Sequence, residues 1–298
     1  MSDLINLGLI AGGQAVLPQM LARTPEPDAV MDGDASVRDF NEIMQTNVSV
    51  SLCGMIELIG RIGFEYQSRV ALDLACGPGH FAIMLAKYFD FEHVVGIDLS
   101  ESMLTRARRN ASAEGVSDRV TFQVGDVTQL TEIQNNAVDL VTCTNSAHHL
   151  PTLKDVTRMM TEMDRVVTTA GLGAVMDLTR MKSAWGVEKY VRTMGKEYRS
   201  AGFDHLYNDF RNSMFAAWTP RELASACPAI EDRQWHCFQI NPVPINQFAY
   251  SIPRQSPPPR QFDWQPPLLE RYENDYRQYM NLLWRSYESS RVSQRCYR

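Results

Sequence analysis

The sequence predicts an α/β fold: an open, mostly parallel sheet with an antiparallel last strand, helices on both faces, further helices before it and a helix at the C-terminal end. Three observations predict it. From Val70 onward, short apolar runs alternate with stretches whose apolar residues recur at helical spacing. Strands separated by helices pair in parallel through right-handed crossovers. The 298 residues, 44% hydrophobic and 21% charged, supply a buried core without any disulfide or metal.

Taken in order, residues 1–34 are loosely patterned and end in the turn-rich Thr24-Pro25-Glu26-Pro27-Asp28 and Asp32-Gly33-Asp34, which predicts irregular structure. Asn6, Gly12, Gly13, Gln14 and Pro18 interrupt the apolar stretch from Leu4 to Leu21, and Met1-Ser2-Asp3 lacks a basic start, so neither a membrane span nor a signal peptide is expected. Phe40, Ile43, Met44, Val48, Leu52, Met55, Ile56 and Ile59 mark two helices between Val37 and Ile62. Strands follow at Val70–Leu74, Val94–Ile97, Val120–Val124, Val138–Thr142 and Gly173–Leu178. Helices lie between them, one capped by Ser100 and stopped near Gly115, another carrying Leu153, Val156, Met160, Met163 and Val167. After Asp177 the alternation pauses for a helix over 183–200 and an aromatic-rich segment, an insertion of the kind that covers a pocket. Trp235–Ile240 and Phe248–Ile252, joined by Asn241-Pro242-Val243-Pro244, suit an antiparallel pair. A proline-rich tether over 256–267 leads to a helix striped with Leu269, Tyr272, Tyr276, Tyr279, Met280, Leu283, Trp284 and Tyr287. The expected organisation is a leader and helical segment (1–66), a core (67–253, with the insertion at 179–219) and the tether with its helix (254–298).

The chemistry concentrates in four strand ends. Asp73-Leu74-Ala75-Cys76-Gly77-Pro78-Gly79 brings a carboxylate and a small-residue loop to a helix start, where free amides face a ligand. Gly77-Pro-Gly79-His-Phe-Ala82 also satisfies the G-x-G-x-x-A form used for dinucleotides, so this loop alone is ambiguous. Asp98, placed 25 positions after Asp73 at the end of the second strand, suits the two hydroxyls of a ribose. Gly125-Asp126-Val127 ends the third strand with groups suited to an adenine edge, and Asn145-Ser146-Ala147-His148-His149 follows the fourth.

With these segments in this order, the chain from Val70 to Ile252 resembles the class I S-adenosylmethionine-dependent methyltransferases. The DLACGPG loop is similar to their first motif, GIDLS to their ribose-binding strand end, VGDVTQL to their adenine-contacting turn and VDLVTCTNSAHHL to their fourth-strand segment. The resemblance implies a Rossmann-like sheet and S-adenosyl-L-methionine as cofactor, leaving S-adenosyl-L-homocysteine as product. It implies that Asp73, Ala75, Cys76, Gly77 and Gly79 hold the methionine part, Asp98, Leu99 and Met103 the ribose side, Gly125, Asp126 and Val127 the adenine, and Asn145 the strand-four edge. It also implies that the two helices between Val37 and Gly63 form a lid, with Phe40, Asn41 and Met44 as contacts. The departure is Ala75, where the family usually has its first glycine.

Methyl transfer from a sulfonium needs chiefly alignment of the nucleophile and exclusion of water, and a base only if the nucleophile arrives protonated. His148 and His149 stand where the resemblance puts the methyl site, and imidazole titrates in the right range for that base. The other reading has one ring packed under the next helix and the other bonded to the loop. No third ligand at helical or hairpin spacing accompanies the pair, so no metal is expected. In the insertion, seven basic residues against four acidic ones between Arg180 and Arg211 point to an acceptor with an anionic group. Arg211 is the expected carboxylate clamp, and Tyr190 and Tyr207 are candidate lining residues, although aromatics on such helices are commonly core. The expected function is methyl transfer to O, N or S of a small polar, carboxylate-bearing metabolite. The alternatives are a non-catalytic cofactor-binding subunit and, further off, a nicotinamide oxidoreductase.

A formal charge of −6 argues against nucleic acid or an anionic membrane as partner. Six cysteines without a C-x-x-C pair point to reduced thiols and a cytoplasmic setting. The tyrosine-rich terminal stripe is too apolar to face water, so it packs on its own domain or across a homodimer.

Overall fold

The computed structural model describes residues 2–27, 37–42, 50–243, 245–267 and 272–295. Seven strands form one sheet: β1 (Val70–Leu74), β2 (His93–Asp98), β3 (Val120–Val124), β4 (Val138–Thr144), β5 (Val167–Leu178), β6 (Arg233–Gln239) and β7 (Asn246–Pro253). Their order is β3-β2-β1-β4-β5-β7-β6. The first five run parallel, and β7 pairs antiparallel with both β5 and β6, as the short connection between the last two runs requires. Chain order reverses between β1 and β4, so the ends of these strands border the crevice where such sheets take ligands. The fifth strand begins earlier than the sequence predicts, because Val167–Leu172 continues straight from the preceding helix into the sheet.

Two layers of helices cover the sheet. On one face lie α2 (Val50–Ile62), α3 (His80–Tyr88) and α4 (Glu101–Ala113), joined by the C-terminal helix, Glu273–Arg295. On the other lie α5 (Leu153–Val166) and, after the insertion helices α6 (Ala184–Met194), α7 (Lys196–Ser200) and α8 (Asp204–Ala216), the short α9 (Pro220–Ala226). α5 and α9 each open on a reciprocal capping box, Thr152 with Asp155 and Thr219 with Glu222, which satisfies two amides at each helix start.

Three expectations are corrected. First, Ser2–Val16 is a helix, α1, not irregular chain. Its weak apolar pattern suffices because Ile10 is buried among Met181, Val187, Tyr190, Val191 and Met214 of the insertion, so the partner helices supply what the local pattern lacks. Second, α2 is no lid: Leu52, Met55, Ile56, Leu58 and Ile59 are buried against the sheet and its neighbours, as expected for a helix apolar on every side. Third, the helix expected over 183–200 breaks at Gly195 into α6 and α7, and the aromatic-rich segment is the regular helix α8. Of the two placements open to the tyrosine stripe, the structure takes the first: the stripe lies on α10 (Glu273–Arg295) and is covered by its own chain. Tyr279, Met280, Leu283 and Tyr287 are buried against α2 and β6, and Tyr279 donates to Asn246 Oδ1 at 3.1 Å. That covering removes the argument for a dimer drawn from this stripe. Among the described residues, no helix is long and apolar enough to cross a membrane.

Candidate functional site

The four predicted turns meet at one rim, and hydrogen bonds between them show it. Asp98 Oδ2 accepts from the Gly77 amide at 2.8 Å and Oδ1 from the Ser100 amide at 2.9 Å. Cys76 N donates to Ile97 O at 3.0 Å and Gly125 N to Asp98 O at 3.1 Å, while Ser146 Oγ donates to Ala75 O at 3.3 Å. Ala75 and Asn145, just past the ends of β1 and β4, have φ of 51° and 52°, the left-handed region that non-glycine residues rarely enter. Gly77 also turns left-handed, and nothing lies within 4 Å of where its Cβ would be. Gly79, at φ 80°, differs: a Cβ there would meet Phe122 at 2.8 Å and Ala107 at 2.9 Å, so its neighbours leave no room for a side chain.

Two acceptor atoms at this rim have no partner among the described residues: Oδ2 of the fully buried Asp73 and Oδ1 of Asn145. Asp73 Oδ1 accepts from the Thr142 hydroxyl at 2.9 Å. Burial nevertheless pushes the Asp73 carboxyl up to about 7, with nearby Asp98 adding to the rise. Burial likewise holds the Cys76 thiol well above its usual range and lowers His80, next to the loop, to about 4. Leu99 and Val124 are 54% and 57% exposed beside Asp98, whereas Met103 and Val127 are buried beneath them. Asp126 Oδ1 is engaged by the amide and hydroxyl of Thr128, each at 2.8 Å.

Next to this rim, the turn Ala147–His149 carries both predicted histidines. His148 is buried, its Nδ1 2.6 Å from Asp177 Oδ1 at the end of β5. Burial pushes its imidazole down, but the Asp177 carboxylate outweighs that and holds it above the usual range. The His149 ring lies 4.3 Å from that of His148, with Nδ1 2.5 Å from Glu26 Oε2. Glu26 Oε1 accepts from Ser213 Oγ at 2.5 Å and lies 3.9 Å from His148 Nε2. Burial raises the Glu26 carboxyl, yet the two imidazoles and Ser213 bring it below its usual range.

Residues 17–27 thus form an extended strap that reaches from α1 to the histidines. Its amides at Met20 and Leu21 bond to Lys182 O and that of Thr24 to Phe215 O. Arg23 lies 3.7 Å above the Trp218 ring and donates to the carbonyls of Ala216, Pro151, His148 and Leu150 at 2.7 to 2.9 Å. Sequence reasoning missed Arg23, Glu26 and Asp177 as site residues. The signal available was weak: a charged pair inside a turn-rich leader, and an acid at a strand end that the histidines require only in three dimensions.

The remaining candidates divide. Residues 37–42 are helical, and Asn41 Oδ1 accepts at 2.6 Å from Asn110, which also donates to Pro78 O at 2.8 Å, so this segment touches the glycine loop as a lid would. Phe40 beside it is half-buried, and Met44 lies outside the described residues. Tyr190 and Tyr207 belong to the core formed by α1, α6 and α8, where their rings fill volume, and are not pocket-lining. Arg211 lies inside α8, not outside a helix, and its guanidinium pairs with Glu188 at 2.5 Å, so it is not a free carboxylate clamp. It borders a hollow of about 290 Å³ lined by Thr24, Pro25, Pro27, Asn212 and Phe215, between strap and α8.

Residues 71–171 match the methyltransferase domain family. A demethylmenaquinone methyltransferase of Leptospira interrogans is 30% identical over 114 residues, 38% of this chain, which spans 45% of that protein's length. Among solved structures, the plantazolicin methyltransferase BpumL in complex with SAH superposes with a TM-score of 0.55 at 12% identity, over 85% of this chain and 96% of its own. A Methanococcus maripaludis protein ascribed to the S-adenosyl-L-methionine-dependent methyltransferases gives 0.53 at 18% identity, over 81% and 99%. At such identities the two structures bear on the fold, which they share with this chain.

Proposed function

We propose, from the premise that residues 71–171 form a methyltransferase domain of the class I fold, that the chain transfers a methyl group from S-adenosyl-L-methionine to O, N or S of a small polar acceptor. One observation carries the reading: the turns that meet at this rim hold two buried acceptor atoms outside any hydrogen bond among the described residues, Oδ2 of Asp73 and Oδ1 of Asn145, and open space at Gly77. A buried carboxylate with one oxygen left over beyond its Thr142 and Ala82 contacts is costly, and an ammonium group relieves it.

The rim's chemistry fits the cofactor part by part. Asp73 would hold the amino group and the open backbone at Gly77 the carboxylate side. Asp98 keeps lone pairs for ribose hydroxyls while accepting from two amides. Leu99 and Val124 offer exposed apolar surface for a purine face, and Gly125-Asp126-Val127 flank its edge. When bound, the cofactor supplies a methyl already activated by a positively charged sulfur. The chain's own task is to fix the acceptor in line and keep water out. Arg23 and Trp218 hold the strap over the turn at 147–149, and the hollow of about 290 Å³ beside it supports a small acceptor. Because Arg211 is already paired, a carboxylate on the acceptor has no free cation there to meet it.

Calorimetry with S-adenosylmethionine, S-adenosylhomocysteine and NAD tests the reading: the first two bind and NAD does not. Transfer of labelled methyl into a metabolite extract then separates an enzyme from a silent binder. Binding of NAD alone would refute the proposal.

A further inference from the structure

The cluster at the strap has a composition that charge pairing alone does not explain. One donor atom each from Glu26, His148 and His149 lies within 4.8 Å of the other two. Although Glu26 Oε2 is 2.5 Å from His149 Nδ1, that nitrogen has no aligned hydrogen bond. A shared cation would hold these donors in place of that unaligned contact.

We propose that Glu26, His148 and His149 form a binding site for one first-row divalent transition cation, of which zinc and cobalt are the test cases. Two imidazoles and one carboxylate suit such ions, whereas magnesium and calcium take oxygen donors. A cation about 2.1 Å from each donor sets them roughly 3.4 Å apart in a tetrahedral site. Glu26 Oε1 lies 3.9 Å from His148 Nε2 and Oε2 lies 2.5 Å from His149 Nδ1, so a bound cation would draw the first pair closer and part the second. His148 is oriented as metal-bound histidines are: Asp177 takes its Nδ1, leaving Nε2 to face Glu26. Ser213 steadies Glu26 in the same way, and Arg23 and Trp218 Nε1 fix the carbonyls of His148 and Ala147. The charges also favour a dication. With neutral imidazoles, Glu26 and Asp177 contribute two negative charges against one from Arg23, while Arg180 is already paired with Glu222 at 2.8 Å.

Three protein donors leave coordination positions for another ligand. Resting on the methyl-transfer reading, that ligand is the acceptor's oxygen or sulfur, whose proton a cation makes easier to lose. Cation binding itself stands apart from that reading. It also joins donors 122 positions apart in sequence, beyond the reach of any spacing rule.

The test uses the full chain stripped with a chelator. Cobalt titration followed by visible absorption, and zinc titration by calorimetry, should each saturate at one ion per chain. Glu26→Gln, His148→Gln and His149→Gln should each weaken binding at least 100-fold, and Asp177→Asn about 10- to 100-fold. Zinc should raise the melting temperature of the unaltered chain but not that of Glu26→Gln, a strap variant that leaves the sheet intact. No saturable cobalt or zinc binding, or binding unchanged in Glu26→Gln and His149→Gln, overturns the proposal and leaves Glu26 as a partner that positions His149 as a base. Affinity for S-adenosylhomocysteine, measured on the same samples, separates the two readings. Cobalt binding without it defeats only the cofactor assignment, and the reverse defeats only the cation site.

Discussion

Two glycines two positions apart should respond to the same substitution in opposite ways. Gly77→Ala places a methyl in open space at φ 51°, so its structural cost is the left-handed conformation alone, about 1–2 kcal/mol. Stiffening of the unfolded chain offsets roughly 0.4–1 kcal/mol of that. The net effect, about 1 kcal/mol, lowers the melting temperature by roughly 2–4 °C. Gly79→Ala carries the same strain and also drives its methyl to 2.8 Å from Phe122 and 2.9 Å from Ala107. Overpacking of that kind adds about 1–3 kcal/mol, for a fall of roughly 5–15 °C. Ligand affinity should rank the other way. The methyl on residue 77 occupies the volume proposed for the cofactor and should weaken S-adenosylhomocysteine about 10- to 100-fold. Gly79→Ala, where it remains folded, should lose far less. Thermal melts and calorimetry on the two variants supply the four numbers. Wild-type affinity in Gly77→Ala would mean that the open space over the loop is not where the ligand sits.

Asp98→Ala removes the acceptor of two loop amides together with the ribose contacts and should weaken S-adenosylhomocysteine by roughly 2–3 kcal/mol, read by calorimetry. Asp73 has its usual 3.8 in the unfolded chain and about 7 in the fold, where it faces Asp98, Thr142 and the thiols of Cys76 and Cys143. Between those values the native state keeps a proton that the unfolded chain has lost, so stability falls as pH rises from about 4 to 7 and stays lower above. Asp73→Asn should therefore melt higher than the unaltered chain at pH 8 and converge with it near pH 4, while losing ligand affinity; equal melts at both pH values would refute the assignment. On β6, Arg233 is buried with Asp164 at 3.2 Å and also donates to the carbonyls of Thr168, Gly171 and Ser251. Asp164→Leu leaves that guanidinium unpaired and should cost about 3–5 kcal/mol in denaturant titrations, much of it recovered in the double variant with Arg233→Met.

The sheet was legible because burial on both faces forces apolar runs such as Leu172–Met176, and because each run stops at residues a strand cannot use. The rim of strand ends proposed for the cofactor was legible for a related reason. Its residues are held by backbone geometry at strand ends, and backbone geometry selects recognisable types: glycine at 77 and 79, aspartate at 98. α1 was not legible, since its stability comes from helices nearly two hundred residues away. Nor was the burial of α2 readable as such, because an apolar helix before a first strand can lie over a ligand or against the sheet with the same pattern.

The strap shows the limit most clearly. Residues 17–27 hold their place by amides and an arginine that bond to carbonyls, and carbonyls are common to every residue type. Such contacts leave no composition, period or spacing in either partner. Yet this is the segment that brings Glu26 to His148 and His149, converting two histidines, one of them held by Asp177 at the end of β5, into a three-donor cluster. The assembled donors are therefore a property of the tertiary fold. Replacing Arg23 should loosen them without altering any of them: Arg23→Met keeps much of the packing on Trp218 but removes four carbonyl contacts. It should weaken cobalt binding while leaving S-adenosylhomocysteine affinity in place. If cobalt affinity were unchanged, the donors would be organised by the sheet alone, and the strap would have no part in holding the site together.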